Sequence, residues 1–195
     1  MTIFLVRHGE TEWNRARRYQ GWQDSPLTAR GVAQAEAIGH RLKALPAPAA
    51  APIVASPTGR ARRTAEIIAG ALGAAVPLRF DPRLREISLG AWDGLDRREI
   101  RARLGAGFVE FEWYFATPHG QRYDEFAALI AEWLREVGEG PVIAVTHGVA
   151  TRVLRGLYAG LAREEALRLP VPQDCIFALS HGRIEEIIVP DLDRR

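Results

Sequence analysis

The chain has 195 residues and a formal net charge of +2, and 47% of its residues are hydrophobic. This small positive surplus does not predict nucleic-acid or membrane binding, and no apolar run approaches the ~18 residues that span a bilayer. The single cysteine, Cys175, excludes an internal disulfide, and it lies in an apolar run that predicts a buried position. We therefore expect a cytoplasmic protein without a leader segment, folded as one domain over residues 1–195.

The first predicted element is a buried strand over residues 3–6, which ends in Arg7-His8-Gly9. In open α/β sheets, ligands bind at the carboxyl edge, where this strand delivers Arg7 and His8. The polar segment 10–27 follows the strand directly and carries Asn14, Gln20 and Gly21. This segment either folds over the sheet edge as a ligand wall or forms a solvated loop.

The middle of the chain alternates helical and strand patterns. Thr28 is a good N-cap for a helix over 29–45, and a surface linker of alanine and proline follows over 46–52. A buried strand over 53–56 precedes a helix over 58–72, whose first turn contains Arg60. A third strand is predicted over 76–80, and a glycine-containing loop over 84–94 begins near Glu86.

The second half repeats the opening pattern. Short helices are predicted over 95–104 and 108–115, and a longer one over 124–137. An apolar strand beginning at Pro141 ends in His147-Gly148, and a helix over 149–161 follows it. If this strand lies parallel to the first and near it, His8 and His147 face one another. Strands over 175–179 and 184–189 predict a hairpin at the sheet margin, followed by a loose tail over 190–195.

Five polar side chains are thus predicted at one sheet edge: Arg7, His8, Arg60, Glu86 and His147. The two guanidiniums are donors suited to binding an oxyanion such as phosphate. The sequence shows neither a group of residues at metal-ligand spacing nor a glycine-rich phosphate-binding loop. A neutral imidazole can attack phosphorus, the arginines can hold the phosphoryl oxygens, and the carboxylate can donate a proton to the leaving group.

Five motifs in this order resemble the histidine phosphatase superfamily, which includes cofactor-dependent phosphoglycerate mutases. They are Arg7-His8-Gly9-Glu10-Thr11 with Asn14, Gln20-Gly21-Trp22 through Thr28, Ser56-Pro57 with Arg60, Leu84-Arg85-Glu86 with Gly90, and His147-Gly148 with Arg152. The resemblance implies a three-layer α/β/α fold, with a mixed, mostly parallel sheet and an antiparallel margin. It further implies a lid-like insertion around residues 95–122.

The resemblance also implies roles for individual residues. His8 becomes the phosphorylated nucleophile, Glu86 the proton donor and acceptor, and Arg7, Arg60 and His147 the phosphate pocket. Four further residues are implied as substrate contacts, namely Asn14, Gln20, Gly21 and the backbone of Gly148. No metal or other cofactor is implied.

The sequence leaves three functions open. The first is a metal-independent phosphomonoesterase for a small phosphorylated metabolite. The compact length favours this interpretation, and so does the segment 96–117, which is aromatic where mutases of the family carry an arginine pair. The alternatives are a phosphoglycerate mutase and a non-catalytic module that binds phosphate. The expected partner is a small phosphorylated substrate or inorganic phosphate, and a homodimer is left open.

Overall fold

A computed structural model describes residues 1–73 and 76–189, so the predicted tail over 190–195 lies outside the described residues. The architecture is a six-stranded mixed sheet with helices on both faces, as the resemblance implied. The strands are β1 (Thr2–Arg7), β2 (Ile53–Ala55), β3 (Leu78–Phe80), β4 (Pro141–Thr146), β5 (Cys175–Ser180) and β6 (Arg183–Ile188).

The strand order is β3-β2-β4-β1-β5-β6. The strands β3, β2, β4 and β1 are parallel to one another. β5 runs antiparallel to β1 and forms the predicted antiparallel hairpin with β6 at one margin. In that hairpin, His181 and Gly182 both have positive φ, and Cys175 is buried as predicted. The parallel pairing of β1 with β4 matches Arg7 with Thr146, so both strands end at the same level.

The α-helices have the following bounds: α1 (Glu12–Arg15), α2 (Ala29–Lys43), α3 (Gly59–Leu72), α4 (Arg97–Leu104), α5 (Tyr123–Glu136), α6 (Gly148–Ala159) and α7 (Arg163–Arg168). The helix α7 was not predicted from the sequence. No helix among the described ranges combines the length and the hydropathy needed to cross a membrane.

Alternating side chains of the central strands build two cores. Ile3 and Leu5 of β1 pack with α5 and α6, whereas Phe4 and Val6 pack with α2 and α3. Burial of each such side chain stabilises the fold by roughly 1.5–3 kcal/mol. The helices thereby cover both faces of the sheet and leave its carboxyl edge to the loops.

Two sequence predictions need correction in the segment between Glu86 and α5. The helix expected over 95–104 begins only at Arg97, because Asp96 caps it through a reciprocal pair of hydrogen bonds with Glu99. The helix expected over 108–115 is reduced to one 3₁₀ turn, Glu112–Phe115. Phe111, directly before that turn, has φ of 68°, a left-handed conformation that cannot continue from a right-handed helix.

Candidate active site

His8 follows β1 directly and is nearly completely buried. Its Nε2 accepts a hydrogen bond from Arg60 Nε at 3.3 Å, and its Nδ1 lies 2.8 Å from the carbonyl of Gly9. Because an Arg Nε–H can only donate, Nε2 must hold the lone pair and Nδ1 the proton, which it donates to Gly9. The contacts therefore select the tautomer that a nucleophilic Nε2 requires.

The charge state of His8 follows from the same surroundings. Burial lowers its pKa well below the usual value, and the positive charges of Arg60 and Arg7 lower it further. The imidazole is therefore neutral at pH 7, and its lone pair is free of a proton.

Arg60 lies in the first turn of α3, and its side chain is fully buried. Its guanidinium donates to the carbonyls of Gly21 and Gln23 and to Asp24 Oδ1, the last at 3.0 Å. Asp24 Oδ1 also lies 3.3 Å from the backbone nitrogen of Arg60. The N-cap residue of this helix makes no side-chain cap, so Asp24 both completes the helix start and pairs with the buried cation.

His147 follows β4, the parallel neighbour of β1, and its ring centroid lies 5.1 Å from that of His8. The structure therefore brings together the two histidines that the repeated strand pattern paired. Nε2 of His147 lies 2.8 Å from Ser56 Oγ and 3.1 Å from Thr58 Oγ1, whereas its buried Nδ1 has no partner among the described residues. Burial, followed by the charge of Arg60, lowers the pKa of His147 well below its usual value.

Arg7 donates from Nη1 to the carbonyl of Val171 at 2.6 Å, while its buried Nε has no partner among the described residues. Burial lowers the pKa of Arg7 to about 10, against an opposing effect of the Glu86 carboxylate. Arg7 is therefore still charged at pH 7 and has a donor available beside His8.

Glu86 is buried at the N-terminus of α6. Oε2 accepts from the backbone N–H of Val149 at 3.0 Å, and Oε1 accepts from Ala150 at 3.0 Å and from Ile87 at 3.1 Å. Burial raises the pKa of Glu86 in spite of these three hydrogen bonds and the charge of Arg60, which favour the carboxylate. A raised pKa suits a group that must deliver a proton near neutral pH.

These side chains adjoin a cavity of about 520 Å³. Arg7, His8 and Glu86 line it, and Arg60 and His147 contact His8. The remaining wall is strongly cationic and aromatic, with Arg17, Arg18, Arg97, Arg152, Tyr19 and Tyr114. Within the described ranges, no group of three or more potential metal ligands is present.

Of the four residues implied as substrate contacts, three line the cavity, namely Asn14, Gln20 and Gly148, whereas Gly21 does not. The amide of Gln20 nevertheless spans from the Thr11 hydroxyl to the Ser25 hydroxyl, a bridge within the protein. The N–H of Gly21 donates to Asp93, and its carbonyl accepts from Arg60. In the structure Gly21 therefore helps to hold the guanidinium of Arg60.

Several contributors escaped the sequence reasoning. Asp24 holds Arg60, and the Gln173 amide joins the carbonyl of His8 to Asn14 Oδ1. Both residues come from polar segments with no periodic pattern, so no local signal marked them. Arg152 was recognised only as part of a motif, yet it lies on the cavity wall.

A family model described as the histidine phosphatase superfamily (branch 1) matches residues 3–189. The chain therefore belongs to the histidine phosphatase superfamily, and with this site it is an enzyme of the phosphatase type.

Individual relatives span both activities of this group. The chain is 38% identical over 183 residues to a probable phosphoglycerate mutase GpmB of Photorhabdus laumondii, covering 87% of this chain and 80% of that one. Its fold matches Bacillus stearothermophilus YhfR with a TM-score of 0.80 at 34% identity, covering 98% of each chain. It also matches a mycobacterial glucosyl-3-phosphoglycerate phosphatase with a TM-score of 0.79 at 28% identity, covering 97% of this chain and 99% of that one.

Proposed function

We propose that this protein is a metal-independent phosphomonoesterase that acts on a small phosphorylated metabolite through a phosphohistidine intermediate. The observation that carries the proposal is the tautomer of His8. Its Nδ1 proton is held by the carbonyl of Gly9, so Nε2 keeps its lone pair, and Nε2 lies beside the guanidinium of Arg60. Arg7 Nε–H is a buried donor and His147 Nδ1 a buried ring nitrogen, and neither has a partner among the described residues. A phosphoryl group beside His8 would accept a hydrogen bond from Arg7 Nε, and from His147 Nδ1 when that nitrogen carries the ring proton.

In the first step, the Nε2 lone pair of His8 attacks phosphorus, and the bond from phosphorus to the ester oxygen breaks. The leaving oxygen takes the proton of the Glu86 carboxyl group, which becomes a carboxylate. The guanidiniums of Arg7 and Arg60 stabilise the charge on the phosphoryl oxygens, and each such donor contributes about 2–4 kcal/mol to lowering the barrier.

In the second step, a water oxygen attacks the phosphorus of phosphohistidine. The Glu86 carboxylate takes the water proton, and the bond from phosphorus to nitrogen breaks and returns its electrons to Nε2. Phosphate leaves, and Glu86 is again protonated for the next turnover. The residues supply a nucleophile, an acid and base, and anion-stabilising donors, so the proposed reaction is assigned without a metal.

The cavity volume of about 520 Å³ supports a small metabolite as substrate. We propose that segment 95–122 acts as the lid-like insertion of the single domain, since Arg97 and Tyr114 of that segment line the cavity. The cytoplasmic location remains part of the same proposal.

The relatives named as phosphoglycerate mutases favour a second candidate, transfer of the phosphoryl group back to the substrate instead of to water. The deciding measurement incubates the protein with 3-phosphoglycerate and 2,3-bisphosphoglycerate and compares phosphate release with isomerisation. Faster phosphate release supports the phosphatase, and faster isomerisation overturns it.

The mechanism is tested by trapping the phosphoenzyme. A radiolabelled phosphomonoester, quenched during turnover, should leave an acid-labile label on the protein in the presence of a chelator. The variant His8→Ala should lose both label and turnover, whereas His40→Ala, at an exposed histidine of α2, should keep both. Label or turnover that survives in His8→Ala would contradict the mechanism.

A further inference from the structure

The segment between α7 and β5, residues 169–173, has no regular secondary structure but lies beside Arg7 and His8. The carbonyl of Val171 accepts a hydrogen bond from Arg7 Nη1 at 2.6 Å. The side-chain amide of Gln173 donates to the carbonyl of His8 at 3.0 Å. The 169–173 segment therefore contacts both the proposed nucleophile and one of the cations proposed to hold the phosphoryl group.

Three successive carbonyls of this segment each accept a hydrogen bond from an arginine. The pairs are Arg152 with Leu169, Arg155 with Pro170, and Arg7 with Val171. Proline has a fixed φ and no N–H, so the prolines at 170 and 172 keep this stretch out of a helix or a strand ladder. Because backbone carbonyls near the core need partners, the arginines take the place of secondary structure as the support of this segment.

Arg155 is a buried cation that the proposed reaction does not use. It is 3% exposed, and it forms no ion pair with a carboxylate of the described ranges. Its guanidinium carbon lies 3.9 Å from the ring centroid of Phe177, and its Nε donates to the carbonyl of Thr151 within the same helix. Burial lowers its pKa to about 10, so it is still charged at pH 7. The hydrogen bond to Pro170 is the contact through which this cation acts outside α6 and its ring partner.

The hydrogen bond to Val171 sets the direction of the Arg7 guanidinium. A guanidinium is planar and rigid, so a fixed Nη1 also fixes the plane in which Nε and Nη2 offer their protons. Arg7 Nε is buried without a partner among the described residues and is the donor proposed for the phosphoryl group. A shift of the Val171 carbonyl would turn that donor away from the oxygen it stabilises. Arg155 holds the backbone at the preceding residue, Pro170.

We propose that Arg155 is a positioning residue, which holds the 169–173 segment through the Pro170 carbonyl so that Val171 orients Arg7 toward the phosphoryl group. The inference rests on the proposed function, from which it takes the role of Arg7. Unlike Arg152, Arg155 does not line the cavity, so its effect on the reaction passes through the segment and not through contact with substrate.

The test is a double-mutant cycle on kcat for phosphate release from 4-nitrophenyl phosphate, in the presence of Arg7 and in Arg7→Gln. Arg155→Met keeps an unbranched apolar side chain beside Phe177 but removes the donors. We expect it to lower kcat about tenfold when Arg7 is present, with a smaller change in KM, the factor for half the contribution of a transition-state donor. In Arg7→Gln the same change should lower kcat by less than about twofold, because the donor to be aligned is gone.

Leu154→Ala is the matched control. Leu154 is fully buried beside Arg155 on α6, so its truncation leaves a cavity in the core but removes no donor to the segment. It should lower Tm at least as much as Arg155→Met does and change kcat by less than about twofold in both backgrounds.

Pro170→Gly keeps the test informative if Arg155→Met folds poorly. Pro170 is exposed, and this change retains the carbonyl while it frees φ, so the segment loosens without a loss in the core. We expect kcat to fall by about threefold when Arg7 is present and to stay the same in Arg7→Gln.

A loss of kcat confined to chains that contain Arg7, in either variant, supports the positioning role. Equal factors with and without Arg7, or unchanged kcat in both variants, would overturn it, because damage to the fold alone adds to the effect of Arg7→Gln. Absence of phosphate release from the unmodified protein would instead overturn the proposed function.

Discussion

The link between Asp24 and Arg60 gives a prediction with a magnitude. The Asp24 carboxylate is 38% exposed, whereas the Arg60 side chain is fully buried, and 3.0 Å separates Oδ1 from Nη1. Asp24→Asn keeps an oxygen but removes the charge. We expect the free energy of unfolding to fall by about 1 kcal/mol, the modest value typical of a pair with one exposed partner, and Tm to fall by about 2–4 °C.

The effect on catalysis should be larger than this loss of stability suggests. Arg60 is one of two cations proposed to stabilise the transition state, and a donor of this type is worth about 2–4 kcal/mol. If half of that, about 1–2 kcal/mol, is lost with its alignment, kcat falls roughly fivefold to thirtyfold, while KM changes less.

The assay measures kcat and KM for phosphate release from an alkyl phosphate, beside Tm. The control is Asp93→Asn, because Asp93 holds the same loop through the N–H groups of Gly21 and Gln23 but, in the described part of the chain, forms no hydrogen bond or ion pair with Arg60. We expect Asp93→Asn to lower Tm with a much smaller effect on kcat. Equal losses of kcat in the two variants would refute a specific role of Asp24 in aligning Arg60.

Three further predictions follow from the site. Glu86→Gln should lower kcat for alkyl phosphates by about 10²–10⁴-fold and much less for 4-nitrophenyl phosphate, whose leaving group needs no proton; equal losses with both substrates would contradict the acid role. Gly9→Ala should destabilise the fold strongly in urea unfolding, because its Cβ would lie 2.2 Å from a backbone oxygen of α2. Gly148→Ala should keep the stability but lower activity, because its Cβ would lie at an ordinary 3.7 Å from Arg7 Nε and Glu86 Oε2 and would fill part of the cavity beside them; the reverse order would be inconsistent with the packing. The pKa values of His8 and His147 are lowered in the folded chain, so below about pH 6.5 the unfolded chain binds more protons at these residues than the folded chain does. The free energy of unfolding should therefore be higher above that pH and should fall as the pH decreases below it. Urea unfolding at several pH values should show this slope in the wild type but not in the double variant with asparagine at both positions, and an unchanged slope would count against it.

The parts of the fold that repeat a strong local pattern could be predicted from the sequence. The strands before His8 and His147 are apolar runs with abrupt polar ends, and their burial follows directly from composition. The parallel pairing of β1 with β4 then places the two imidazoles together, as the repeated strand pattern suggested. The mixed sheet and its antiparallel margin are likewise confirmed.

The unpredicted parts depend on contacts between distant segments. The helix α7 has six residues, and four of them are charged, so its sequence lacks an apolar period. The aromatic run 108–115 resembles a helix locally, but Phe111 takes a left-handed backbone, and the aromatic side chains pack into or against the core that α5 and α6 share with the sheet. Asp24 meets Arg60 across 36 positions of the chain, and no local pattern encodes that distance.

The backbone of the sheet itself sets the separation of His8 and His147. The N–H of His8 donates to the carbonyl of Thr146 at 2.9 Å, so the hydrogen bonding between β1 and β4 continues by one residue beyond the end of β1. The spacing of the two imidazoles is therefore as durable as the sheet, and heat should abolish turnover only when the whole molecule melts. Arg17, Arg97 and Tyr114 of the cavity wall lie outside these paired strands, so changes at these residues can reshape the cavity without altering the spacing of the two imidazoles.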